Sequence, residues 1–206
     1  MRIFHWHHKK RVRNASRGFS LVELLAVLAV LAIITAVVLS GSARGRSGLF
    51  LTNSAYELAL FVREAQAYGV SARKEVISTA DSAPYGVFLD RNVGNSATLF
   101  TDLSNPLNNI YDSGGGELVQ TLTLTGGSTV FRFCGTPVGG GAEQCSDAGG
   151  PNTLHIAFKR PNPDAIITGL PGPVSYESAT VTLMSPYGEQ RTIQILVTGQ
   201  IAVLNN

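Results

Sequence analysis

The side chains able to do chemistry are few and scattered. Cys134 and Cys145 enclose ten residues that include four glycines, a loop flexible enough to bring two sulfurs together as a disulfide or to leave two thiols. His5, His7 and His8 form a His-x-His-His cluster of the kind that chelates a metal, but they lie in a basic N-terminal stretch that reads better as a leader than as a site. His155 stands alone in an alternating segment. With no nucleophile elbow or paired metal motif beside it, its expected role is that of a surface or satisfied core residue. Asp112-Ser113-Gly114-Gly115-Gly116-Glu117 offers carboxylates among glycines, yet it lacks the ligand spacing of a calcium loop and precedes no strand-to-helix transition, so it reads as a hairpin connection. No catalytic residue, cofactor or metal site is expected. One acid, Glu23, is out of place, because it stands at the head of a long apolar run.

That run, Leu24 to Ala43, has no charge in 20 residues, and as a helix it covers roughly 30 Å, the thickness of a bilayer's hydrocarbon core. Arg2, Lys9, Lys10, Arg11, Arg13 and Arg17 precede it without a single acid, which leaves ten basic against fourteen acidic residues for the rest of the chain. The sequence pI near 8.6 therefore describes a basic tag on a mildly acidic body, and it gives no support to nucleic-acid binding by that body. Basic residues ahead of an apolar span hold the N-terminus in the cytoplasm and send the body across. A secretory signal peptide cut near Gly41 to Ala43 is the competing reading, but its apolar region would run to only roughly 7 to 15 residues. Glu23 also argues against it: an ionised acid in a membrane helix costs about 2.5 kcal/mol or more at the centre and less near the interface, so it calls for a cationic partner. An extracytoplasmic body favours the disulfide over free thiols at Cys134 and Cys145, with a contribution of about 2 to 3 kcal/mol.

With 44% hydrophobic and 15% charged residues, the chain has the makings of a core. Gly41, Gly45 and Gly48 weaken helix locally by roughly 1 kcal/mol each. Arg44 and Arg46 read as ordinary flanking charge just beyond the bilayer. From Leu51 an amphipathic stripe resumes with Ala55, Leu58, Ala59, Val62 and Ala65, predicting helix to about Ser71 with Ser54 and Glu57 as a capping box. Short β-rich runs follow at Val76 to Thr79, Tyr85 to Leu89, Leu118 to Leu124, Thr129 to Phe133, Thr153 to Phe158, Ala179 to Met184, Thr192 to Val197 and Gln200 to Leu204. In the third of these, Leu118, Leu122 and Leu124 are expected to form the apolar face. Helix then antiparallel meander is an α+β architecture.

Arg17-Gly18-Phe19-Ser20-Leu21-Val22-Glu23-Leu24-Leu25 resembles the cleavage and assembly motif of type IV pilins and type II secretion pseudopilins. The resemblance implies a leader, residues 1–18, removed by a prepilin peptidase between Gly18 and Phe19, N-methylation of Phe19, and a Glu23 carboxylate that pairs with the terminal amine of a neighbouring subunit. It further implies a transmembrane and filament-core helix over 19–43, its continuation into the head over 44–74, and an antiparallel β-rich head over 75–206. The partners implied are prepilin peptidase, other pilin or pseudopilin subunits, membrane lipids before assembly and an inner-membrane assembly platform. The location implied is a single pass through the inner membrane, then a pilus or periplasmic pseudopilus. The head layout is similar to that of the GspH/FimT class of minor subunits, on Arg63-Glu64-Ala65, Tyr85-Gly86-Val87 and the Arg191-to-Val203 hairpin around Gly199. Some FimT-like minor pilins capture DNA through basic residues near the C-terminus. Here Gly199 to Asn206 carries no charge, so nucleic acid is not expected as a partner. The expected function is that of a structural minor subunit; a DNA-capturing minor pilin and a secreted or membrane-anchored binding module are the alternatives.

Overall fold

The structure, a computed structural model, describes residues 18–71, 83–104 and 106–204, with side chains for all of these except 40–44. Leader residues 1–17 and the expected strand at Val76 to Thr79 lie outside the described residues. The chain divides into two compact units, residues 1–42 and 43–206.

One helix, α1 (Leu21–Val70), contributes to both units. In the first unit, Leu21–Leu39 has a mean hydropathy of 2.9 and none of it is buried, so it is long and apolar enough to cross a membrane. In the second, the six stripe positions Leu51, Ala55, Leu58, Ala59, Val62 and Ala65 are all buried, joined by Phe61. Burying each large member of that set stabilises the head by roughly 1.5 to 3 kcal/mol. The glycines at 45 and 48 do not interrupt the helix. Ser54 and Glu57 accordingly form no capping box: the helix has no start there, and the buried Ser54 hydroxyl instead faces the Thr125 carbonyl oxygen at 3.5 Å.

Among the described residues the head pairs ten strands, β1 (Tyr85–Asp90), β2 (Ser96–Thr101), β3 (Leu118–Thr123), β4 (Thr129–Pro137), β5 (Gln144–Cys145), β6 (Thr153–Lys159), β7 (Asn162–Leu170), β8 (Val174–Met184), β9 (Gln190–Leu196) and β10 (Ile201–Leu204). Their order is β10-β9-β8-β7-β6-β1-β2-β3, and β4 adds to β8 and carries β5. Every pair is antiparallel. The long strand β8 is the branch point: its start pairs with β7, its remainder with β9, and β4 runs beside nearly all of it. The sheet curls until the Val130 N–H at the start of β4 donates to the Gly94 carbonyl in the β1–β2 connection at 2.6 Å.

Three differences from the sequence reading have physical causes. Strand β7 carries Pro163 between Pro161 and Pro171, which argues against a strand. It is tolerated because the β6 ladder skips that position, passing from Phe158↔Ala165 to Lys159↔Asn162. In β3 a register shift between Leu99 and Phe100 leaves Val119 unpaired on that ladder and changes which side chains face inward. Val119 and Leu122 pack against the core, whereas Leu118 is 55% exposed. Strands β2 and β5 were not anticipated, and β5 exists only as the partner of Cys134 and Gly135.

Polar groups on α1 fix the last hairpin. Gln66 Nε2 donates to the carbonyls of Pro163 and Gly199 at 2.9 and 3.0 Å, and Arg63 Nη2 donates to the Ile201 carbonyl at 3.1 Å. Gly199 has φ +81°, and a Cβ there would run into the Pro163 carbonyl oxygen and the Gln66 amide. Gly172 shares that backbone region at φ +73° but faces open space. Gly199→Ala is therefore expected to cost about 3 kcal/mol, against about 1 kcal/mol for Gly172→Ala. Urea unfolding of the two detergent-solubilised variants checks the difference, and equal costs would show that the packing beneath Gly199 is immaterial.

Candidate functional site

Gly18, Phe19 and Ser20 precede α1 in non-helical backbone, and all three are exposed, Phe19 to 80%. The Ser20 Oγ accepts the Glu23 backbone N–H at 3.1 Å, which makes Ser20 the N-cap and Glu23 the third helical residue. The Ser-x-x-Glu spacing is the one a capping box requires, and the serine half of it is formed. Glu23 is thus the acid of the first turn, where the partial positive charge of the helix terminus favours a carboxylate. The turns that follow, from Leu24 to Leu39, expose only apolar side chains apart from Thr35, whose hydroxyl donates back to the Leu31 and Ala32 carbonyls. The cap was legible in the sequence and was missed, because Glu23 had been assigned to an external partner and Ser20 to none.

The family model described as "prokaryotic N-terminal methylation motif" matches residues 13–39. The match takes in Gly18, Phe19, Ser20 and Glu23 together with the exposed apolar turns. That motif marks a type IV pilin- or pseudopilin-like protein. Searches among curated proteins and among solved structures return no match. The family is one of structural subunits processed by prepilin peptidase and assembled with other pilins, and the antiparallel, curled head with its apolar N-terminal helix is consistent with a pilin-like α+β fold.

Elsewhere in this pilin-like chain the groups that could do chemistry are occupied. Cys134 and Cys145 face each other across β4 and β5 and are joined by a disulfide. With Glu143 they place two sulfurs and a carboxylate oxygen within 4.8 Å of one another, but sulfurs bonded to each other offer no thiolate to a metal. His5, His7 and His8 lie outside the described residues. The stretch from Asp112 to Glu117 belongs to a loop organised from within. Glu117, 2% exposed, accepts the backbone N–H groups of Leu103 at 3.0 Å and Asp112 at 2.7 Å. Asp102, fully buried, accepts those of Ser104, Asn108 and Asn109 at 2.9, 2.8 and 2.6 Å. These carboxylates serve the backbone, as buried charge requires.

His155 is bound into the same loop. It is 1% exposed, with Phe88, Phe100 and Tyr111 around it. Its Nδ1 accepts the Tyr111 backbone N–H at 3.0 Å, which places its proton on Nε2, 3.2 Å from the Thr153 hydroxyl. Burial pushes its pKa down to about 4, against a smaller upward pull from Asp112. It is a satisfied core residue. Because the unfolded chain takes up this proton near pH 6.5 and the folded chain only near 4, stability is full above 6.5 and falls as pH drops between those values. The head is expected to be about 2 kcal/mol less stable at pH 5 than at pH 7.5 from this group. Urea unfolding at both values checks it. His155→Asn, which keeps an acceptor near Nδ1, should lower stability at pH 7.5 but flatten that slope, and an unchanged slope would assign the effect to carboxylates.

Proposed function

We propose that this protein is a minor structural subunit of a type II secretion pseudopilus or a type IV pilus, with no catalytic role. A prepilin peptidase removes residues 1–18 after Gly18 and methylates Phe19, the inner membrane holds the apolar helix with the head outside the cytoplasm, and an assembly platform transfers the subunit into a filament. The observation that carries this reading is the Glu23 carboxylate in the first turn of an otherwise uncovered apolar helix, four residues beyond Phe19.

Cleavage would place a new ammonium at Phe19, directly ahead of the cap. A cation there opposes the helix dipole, and in an apolar bundle both it and Glu23 are expensive alone. A neighbouring subunit displaced axially by the right amount presents its ammonium to this carboxylate and satisfies both charges, so the pair selects register. Ser20 holds Glu23 on a formed helical turn and so fixes where the carboxylate sits. The GspH/FimT class is supported by the helix-then-meander layout and by the terminal hairpin around Gly199 pinned to α1 by Gln66.

Protein purified from cells is expected to begin at Phe19 and to be one methyl group heavier than the unmodified chain by mass spectrometry. A start near Arg44 would instead point to signal peptidase and an unrelated secreted module. Glu23→Leu should be cleaved and membrane-inserted normally but enter filaments at least about tenfold less, equivalent to about 1.4 kcal/mol. Incorporation equal to that of the unmutated subunit would refute the pairing.

A further inference from the structure

The head carries a hollow of about 300 Å³ lined by Arg46, Ser47, Phe50, Gly126, Pro186 and Tyr187. Three segments of one unit build it: the α1 turns from Arg46 to Phe50, the β3–β4 turn and the β8–β9 turn. Its floor depends on glycine. Phe50 lies over Gly126, where a Cβ would come 2.5 Å from the phenylalanine Cβ, and Pro186 lies over Gly127, at 2.9 Å from a Cβ there. The rim is apolar and open to solvent, with Tyr187 50%, Phe50 40% and the adjoining Leu49 69% exposed. Single exposed apolar residues need no explanation, but two aromatics and a leucine gathered beside an exposed arginine have the composition of a membrane interface. Glu189 beside the patch is half-buried and engaged: its Oε2 accepts the hydroxyls of Ser47 and Ser185 at 3.4 and 3.5 Å, and its carboxylate lies over Gly48. Arg191 lines a neighbouring hollow with Glu189 and Leu49, so that acid is accompanied by a second cation, and the Arg191 Nη1 donates to the Gln190 carbonyl at 3.0 Å. Among the residues lining the hollow, the exposed Arg46 is the charged one.

The occupant follows from chain continuity. Arg46 stands seven positions after Leu39, the last residue of the apolar span, and seven residues reach at most about 25 Å even when fully extended. With the span in a bilayer, the patch is confined to the layer next to the surface, where a weak contact suffices because the tether keeps the local concentration high. We propose that, before assembly, the head is seated on the membrane through this patch, with anionic lipid headgroups at Arg46 and with Leu49, Phe50 and Tyr187 in the interfacial layer. The inference rests on the membrane-anchored reading above. It makes the unassembled subunit a lipid-seated body that transfer into a filament must lift off.

The sequence supplies a clean probe, since its single tryptophan is Trp6. The full chain carrying Trp6→Phe and Tyr187→Trp is reconstituted into vesicles of phosphatidylethanolamine and phosphatidylglycerol whose acyl chains are brominated near the headgroup. Emission from position 187 is expected to fall about twofold relative to unbrominated vesicles, as for an indole in the interfacial layer. Arg46→Glu should abolish the quenching, and a tryptophan at Val138, 62% exposed on the strand end that leads into the β4–β5 loop, should show none. Leu49→Trp in the same background repeats the measurement should Tyr187→Trp destabilise the turn. In protein that floats with the vesicles, a probe as open to acrylamide as in detergent would overturn the seating and leave the anchor standing. Burial of the probe only when other filament subunits are added would overturn it in favour of a protein occupant, and failure to float would overturn both readings.

Discussion

An apolar segment can leave water only if its backbone brings its own hydrogen-bond partners, and this requirement governs the N-terminal part of the chain. Residues 24–39 offer no side chain to satisfy a stray N–H or carbonyl beyond Thr35, whose hydroxyl is already spent on the Leu31 and Ala32 carbonyls. A helix is the form that closes all these bonds within the segment, and the same form suits lipid and a bundle of like helices. What the helix cannot close is its own first turn, with its unpaired N–H groups. Ser20 meets part of that need, and Glu23 adds a carboxylate where the terminus is electropositive. The assembly function proposed for the glutamate is built on a position that local helix physics already favours.

The residues of the assembly motif could be read directly because their chemistry is local: an uncharged run, one acid and a basic preamble need no folded context. The buried stripe of α1 was equally plain, since its period is imposed by the helix itself. Elements that depend on distant partners were harder. Strand β7 was absent from the expected runs, because nothing near it announces that the β6 ladder skips Pro163. The face expected of β3 holds at Leu122 and Leu124 and fails at Leu118, because the unpaired Val119 breaks the alternation and takes the inward place. Strand β5 is two residues long and has no periodicity to detect. The capping box expected at Ser54 was a true local pattern outvoted by the turn before it, which was already helical.

The loop between β2 and β3 shows why a sequence with carboxylates and glycines need not be a ligand site. Asp102 and Glu117 each collect several backbone N–H groups, and His155 receives another from Tyr111, so these side chains stand where a ladder of strand hydrogen bonds would otherwise be. A polar core of this kind holds an irregular segment in one conformation, since each buried group left without its partner is penalised. Burial holds His155 neutral in the folded head, which suits the acceptor role it plays toward the Tyr111 N–H.

Strand β8 has hydrogen-bonded neighbours on both edges, β4 along one and β7 then β9 along the other, so neither half of the sheet can peel away without opening it. A seam of this sort favours opening of the sheet as one unit, with β3 and β10 at the two ends of the path as the strands most open to fraying. Were α1 to be pulled, its buried stripe together with Arg63 and Gln66 would pass the load to the last hairpin and to β7, and from there to β8 along the strand ladders.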